Sequence, residues 1–181
     1  MEEDKKLYRR FLNGDNESFE HIMNKYMEKI IYFIYKFIKS MDVAEDLAQD
    51  VFVYILMNKE KYDSKYSLKA YLYTIAKSKT LNYIKRENKI TYLQDNDYLF
   101  NEEEIEDIIF DKEQSQNLKI AIDNLPEPQN QIIYLADIEE LSYKEICNTL
   151  NMSLSQVKTL IYRGRRKLKK ILMKEVNNYN G

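Results

Sequence analysis

The chain reads as all-α: two small helical domains joined by an acidic flexible linker, the C-terminal one a helix-turn-helix. Three observations carry this reading. The 181 residues include only three glycines (Gly14, Gly164, Gly181) and two prolines (Pro126, Pro128), too little punctuation for a many-stranded sheet. Ile, Leu, Lys and Glu give the composition a helical bias. Apolar residues recur at helical spacing in both halves, with a polar, aperiodic stretch between them.

The elements follow in order. A long apolar-rich helix runs from Ser18, a possible N-cap, to about Ser40. The next starts at Asp42, with Glu45 completing a capping-box-like pattern. On it Ala44, Leu47, Ala48, Val51 and Ile55 share one face, and Asp46, Gln49, Asp50 and Val53 fall opposite. After the loop KYDSKYS, a basic helix from Ser67 to about Asn88 completes a first domain, residues 1–90. Residues 91–113 are acidic with little periodicity and read as a tether, with at most a short helix from Glu103 to Phe110. The second domain, 114–181, has a helix to Asn124, a break at LPEPQ, a helix to about Ile138, and two helices joined by a tight turn. Ser142 with Glu145 and Ser153 with Gln156 match the capping box, and Asn151 suits the left-handed turn position.

Composition also excludes functions. Three glycines cannot build a P-loop or a dinucleotide turn, and one His with one Cys cannot supply the usual zinc sets, so no metal or cofactor is expected. The greasiest segment, IIYFIYKFI, is broken by Lys36 and too short to span a bilayer, so a soluble chain without a cleaved signal is expected. Cys147 reads as a small core residue.

The net charge of -2 conceals its arrangement. Residues 1–60 sum to -3, residues 61–90 to +6, residues 91–127 to -9 and residues 128–181 to +4. Local density of positive charge governs attraction to a polyanion, so nucleic acid becomes a candidate partner for the two basic zones. On the last helix Val157, Leu160, Ile161, Gly164 and Leu168 share a face, and Ser155, Thr159, Tyr162, Arg163, Arg166 and Lys170 lie on the other. Seven basic residues and no acid between Lys158 and Lys170 suit phosphates, while Ser155, Gln156, Lys158 and Thr159 at the helix start can reach base edges. The other zone interleaves Tyr62, Tyr66, Tyr71, Tyr73 and Tyr83 with lysines and Arg86, a composition suited to stacking and holding single strands, although some of these tyrosines must be core.

Three stretches in sequence resemble the extracytoplasmic-function sigma factors of the sigma-70 family. DVAEDLAQDVFVYIL (42–56) resembles region 2.2, YSLKAYLYTIAKSKTLNYIKR (66–86) regions 2.3 and 2.4, and LPEPQNQIIYLADIEELSYKEICNTLNMSLSQVKTLIYRGRRKL (125–168) region 4. The resemblance implies a non-enzymatic specificity subunit that binds core RNA polymerase through Asp46, Gln49, Asp50 and Val53. It implies single-stranded minus-ten recognition by Tyr62, Asp63, Ser64, Lys65, Tyr66, Tyr71, Lys77, Ser78, Asn82 and Arg86, and duplex minus-35 recognition by Ser155, Gln156, Lys158, Thr159, Tyr162, Arg163 and Arg166. The tether would thread polymerase toward the RNA exit channel. The resemblance further implies a cytoplasmic protein without a small-molecule substrate, and an anti-sigma factor, in some cases membrane-bound, as a further partner. Tyr71, Leu160 and Gly164 stand where the family often has Trp, Arg and Ala, and the family often has Asn near Ser78, so the promoter sequence it reads need not be the common one. The alternative reading is a stand-alone helix-turn-helix transcriptional regulator whose N-terminal domain dimerises or receives a signal.

Overall fold

In the computed structural model the chain divides into two units, Met1–Glu102 and Glu103–Gly181. The structure describes residues 2–91 and 113–179; the expected tether and its short helix lie outside them. Every regular element among the described residues is helical.

The first unit holds α1 (Glu2–Leu12), α2 (Asn16–Ile38), α3 (Met41–Met57), a 3-10 turn (Lys59–Lys61) and α4 (Leu68–Thr91). Helix α1 was not anticipated from the sequence. Acids in its first turn and Arg9 and Arg10 in its last suit the helix dipole, and it buries Asp4, Tyr8 and Phe11. The central α2 packs against α1, α3 and α4. Its cap is Asp15 rather than Ser18: Asp15 accepts from the Ser18 backbone N–H at 3.2 Å and from its hydroxyl at 2.8 Å, so the helix starts three residues earlier than expected. Ser40, not Asp42, occupies the N-cap of α3, with no side-chain capping bond, which places Asp42 in the first turn. There its charge still complements the dipole. The anticipated inner face of α3 is buried as a set, with Phe52 added. Ser67 caps α4 by accepting from Ala70 N–H at 3.1 Å. Tyr73 is fully buried, edge-on to Phe33, and so belongs to the core.

The second unit holds α5 (Glu113–Asp123), α6 (Gln129–Ile133) running into a π-helical turn (Tyr134–Ile138), α7 (Tyr143–Leu150) and α8 (Leu154–Tyr179). Helix α8 packs on α5, α6 and α7. The π turn is closed by Glu139 N–H donating to Tyr134 C=O at 3.0 Å. Both capping boxes form, with Ser142 and Glu145 bonded reciprocally at 3.3 and 2.9 Å and Ser153 and Gln156 at 3.3 and 2.8 Å. Asn151 takes φ 54°, ψ 51°, closing the turn between α7 and α8. Cys147 is half-exposed, not core, because α7 presents Ile146, Thr149 and Leu150 to the interior instead.

Candidate nucleic-acid interface and partner surface

Three surfaces carry the expected site residues. On α3, Asp46, Gln49, Asp50 and Val53 are all exposed, as the helical spacing requires once the opposite face is buried. Two residues missed by sequence reasoning extend this surface: Leu56 is 50% and Met57 79% exposed, beside Val53 at 51%. Their positions three and four beyond Val53 were the signal. One acid is engaged: Lys79 Nζ of α4 lies 3.5 Å from Asp50 Oδ2, an exposed pair of little energetic weight.

The second surface is the loop before α4 and one stripe of α4 itself. Asp63 organises the loop by accepting from Lys65 N–H at 2.9 Å through its side chain and from Tyr66 N–H at 3.1 Å through its carbonyl. Asp63, Ser64, Lys65 and Tyr66 are exposed. Tyr62 and Tyr71 are not free platforms for bases: both are half-buried, with ring centroids 5.3 Å apart, and Tyr62 is also edge-on to Tyr8 of α1 at 4.6 Å. Burial pushes the Tyr62 phenol up to about 12 and raises that of Tyr71. Tyr66, half-exposed, is the aromatic of the loop available for stacking. Along α4, Tyr71, Ser78, Asn82 and Arg86 fall in one line, with Ser78, Asn82 and Arg86 exposed. Lys77 sits roughly 100° round the helix from Ser78. It is half-buried, and burial lowers the pKa of its ammonium, so the structure does not bring it onto that stripe.

The third surface is the outer side of α8. Ser155, Gln156, Lys158, Thr159, Tyr162, Arg163 and Arg166 are all exposed there, while Val157, Ile161, Gly164 and Leu168 are buried. Gln156 Oε1 accepts from both the backbone N–H and the hydroxyl of Ser153, at 2.8 and 3.0 Å. Its carbonyl is therefore spent on the cap, which leaves the amide NH2 to reach outward and precludes bidentate reading of adenine while the box stays closed. Arg165, one of the seven basic residues, is held back: its Nε lies 3.1 Å from Asp137 Oδ2 and its Nη2 donates to Oδ1. These bonds, donated to the Asp137 carboxylate, raise the pKa of Arg165 further.

Among the described residues there is no cluster of three metal-ligating side chains, and no helix long and apolar enough to cross a membrane.

Family models described as Sigma-70 region 2 and Sigma-70, region 4 match residues 22–90 and 115–168. The chain is 31% identical over 179 residues to the ECF RNA polymerase sigma factor SigW of Bacillus subtilis, covering 93% of this chain and 96% of that one. It is 30% identical over 162 residues to the RNA polymerase sigma factor YlaC of the same organism, covering 87% and 94%. Among solved structures, the sigma factor RpoE in complex with the anti-sigma factor NepR from Bartonella quintana shares the fold with a TM-score of 0.70 at 19% identity, over 87% of this chain and 98% of that one. CnrH in complex with the cytosolic domain of CnrY does so with a TM-score of 0.63 at 18% identity, over 95% and 98%. The extent and order of these matches, on a scaffold whose exposed surfaces carry the basic and acidic sets described above, make the chain a member of the extracytoplasmic-function sigma factors of the sigma-70 family, the RNA polymerase subunits that direct promoter recognition.

Proposed function

We propose that the three surfaces divide the work of initiation. The outer face of α3, Asp46, Gln49, Asp50 and Val53 with Leu56 and Met57, docks on core RNA polymerase; the loop Tyr62–Ser67 with the Ser78–Asn82–Arg86 stripe holds the opened minus-ten strand; and α8 reads the minus-35 duplex. The observation that carries this reading is the exposed apolar strip Val53, Leu56 and Met57 bordered by acids, a surface suited to a protein partner, on the same unit as the loop and basic stripe suited to single-stranded DNA. Residues 1–90 and 114–181 act as the two DNA-contacting parts, and 91–113, with its excess of acids, as the tether through polymerase.

The chain has no catalytic role in this scheme. Strand opening is driven by binding: unstacking a base costs a few kcal/mol, offset by stacking and backbone contacts to the exposed strand. Magnesium and nucleotide chemistry belong to the polymerase. We further infer a cytoplasmic protein restrained by an anti-sigma factor, by analogy with RpoE, whose solved complex contains the anti-sigma factor NepR. Run-off transcription with purified core and a promoter library tests the whole. Selective transcripts should appear only when chain and core are mixed. Tight duplex binding by the chain alone, with no change in where core starts RNA, would support the stand-alone regulator instead.

A further inference from the structure

Helix α1 lies ahead of the residues matched to Sigma-70 region 2, yet it forms a wall of the minus-ten loop. Tyr8 is 1% exposed. Its hydroxyl donates to Lys59 C=O at 2.9 Å and its ring meets that of Tyr62 at 4.6 Å with planes 64° apart, so one side chain grips both ends of the 3-10 turn that leads into the loop. Tyr62 passes the contact on, its ring lying against Tyr71 of α4 and its hydroxyl donating to Tyr66 C=O at 2.8 Å. Helix α1 is itself pinned: Asp4 accepts from Tyr26 at 2.8 Å and from Lys25 at 2.6 Å, and Phe11 stacks on Phe19 at 4.6 Å. A continuous path of contacts therefore runs from α2 through α1 to the loop backbone at Tyr66.

Resting on the assignment of this loop to the minus-ten strand, we propose that Tyr8 is a positioning residue for promoter opening: it holds Tyr62 as a post between α1 and α4, so that Tyr66 meets the unpaired base from a fixed place. Tyr8 does not touch DNA in this account. A loop released from Tyr8 must be ordered at the moment of binding, and that cost falls on affinity and on discrimination between bases.

The test uses preformed holoenzyme and a fork-junction DNA whose single-stranded non-template segment comes from a promoter obtained by run-off selection. Tyr66→Ala should weaken binding about tenfold through the lost stacking. Tyr8→Phe, which removes only the bond to Lys59, should weaken it about threefold, and Tyr8→Leu about tenfold. Both Tyr8 variants should also flatten the preference among the four bases at the captured position, a readout that a merely structural role would leave unmoved. If Tyr66→Ala weakens binding and the Tyr8 variants change neither affinity nor base preference, the positioning role is overturned and the loop assignment stands. If Tyr66→Ala has no effect, the loop assignment itself fails and this inference falls with it. Should Tyr8→Leu fail to fold, Tyr8→Met, which also removes the ring that meets Tyr62 but fills more of its space, takes its place.

Discussion

A methyl group added to Gly164 of α8 would lie 2.6 Å from Cγ1 and 2.9 Å from Cδ1 of Ile133, a side chain of α6 with no exposed surface. The glycine is therefore a point of close approach between α8 and α6. In a solvent-facing helix Gly164→Ala would gain about 1 kcal/mol from propensity, but forcing a methyl into this contact costs about 1–3 kcal/mol because Ile133 is β-branched and fully buried, so turning its χ1 to withdraw Cγ1 drives the side chain into packed neighbours. The expected net effect is a loss of about 1 kcal/mol in thermal unfolding. Ile133→Ala in the Gly164→Ala background should show positive coupling in a double-mutant cycle. A raised melting temperature in the single variant would show that the contact relaxes freely.

That contact marks what the sequence could and could not disclose. Both capping boxes of the helix-turn-helix were legible because donor and acceptor lie three residues apart, and the buried and exposed faces of α3 and α8 were legible because helical periodicity is local. The same capping rule misassigned Ser18 and Asp42, since Asp15 stood within one turn of the first and Ser40 just ahead of the second. Helix α1 was hidden because its inner face contains an acid: Asp4 is buried only by virtue of Lys25 and Tyr26, more than twenty residues away. Tyr62 looked like a platform for bases for the same reason, its partners Tyr8 and Tyr71 being brought to it by the fold.

The Asp4 cluster makes α1 sensitive to acid. Burial alone would raise the Asp4 pKa, but the hydrogen bonds from Lys25 and Tyr26 and the charge of Lys25 together hold it below the ordinary carboxylate value of 3.8. A depressed folded-state pKa stabilises above the unfolded value and loses that contribution as pH falls through the folded one. At pH 7 Asp4→Asn, which still accepts from Tyr26 but no longer pairs with a partly exposed Lys25, should cost about 1 kcal/mol. The gap between wild type and variant should close below about pH 4 in thermal melts. Parallel curves down to pH 3 would show that the carboxylate contributes nothing through its charge.

The α3 strip predicts a separation of stability from assembly. Leu56→Glu changes a half-exposed side chain and Met57→Glu one largely in solvent, so the melting free energy should fall by no more than about 1 kcal/mol for the first and stay within about 0.5 kcal/mol for the second. Association with core polymerase, read by fluorescence titration, should weaken about tenfold for each if these residues sit inside the contact. Asp46→Ala with Gln49→Ala and Asp50→Ala should weaken it as well while helicity is retained. Unchanged core affinity across the set would remove α3 from the polymerase contact.

Adjacent arginines on α8 should behave differently. Arg166 is exposed on the outer face with its guanidinium available to phosphate, whereas Arg165 is bound through two nitrogens to Asp137 of the π turn. Arg166→Ala should weaken holoenzyme binding to minus-35 duplexes of any sequence and reduce the slope of log affinity against log salt by about 0.9, the release expected from one phosphate contact. Arg165→Ala should leave that slope nearly unchanged and cost at most about 1 kcal/mol of stability, since its pair is half-exposed. An equal reduction in both variants would mean that DNA competes Arg165 away from Asp137, in which case Asp137→Asn should tighten binding, because it frees a cation and removes an anion from beside the duplex; no reduction in either would reject the Arg166 phosphate contact.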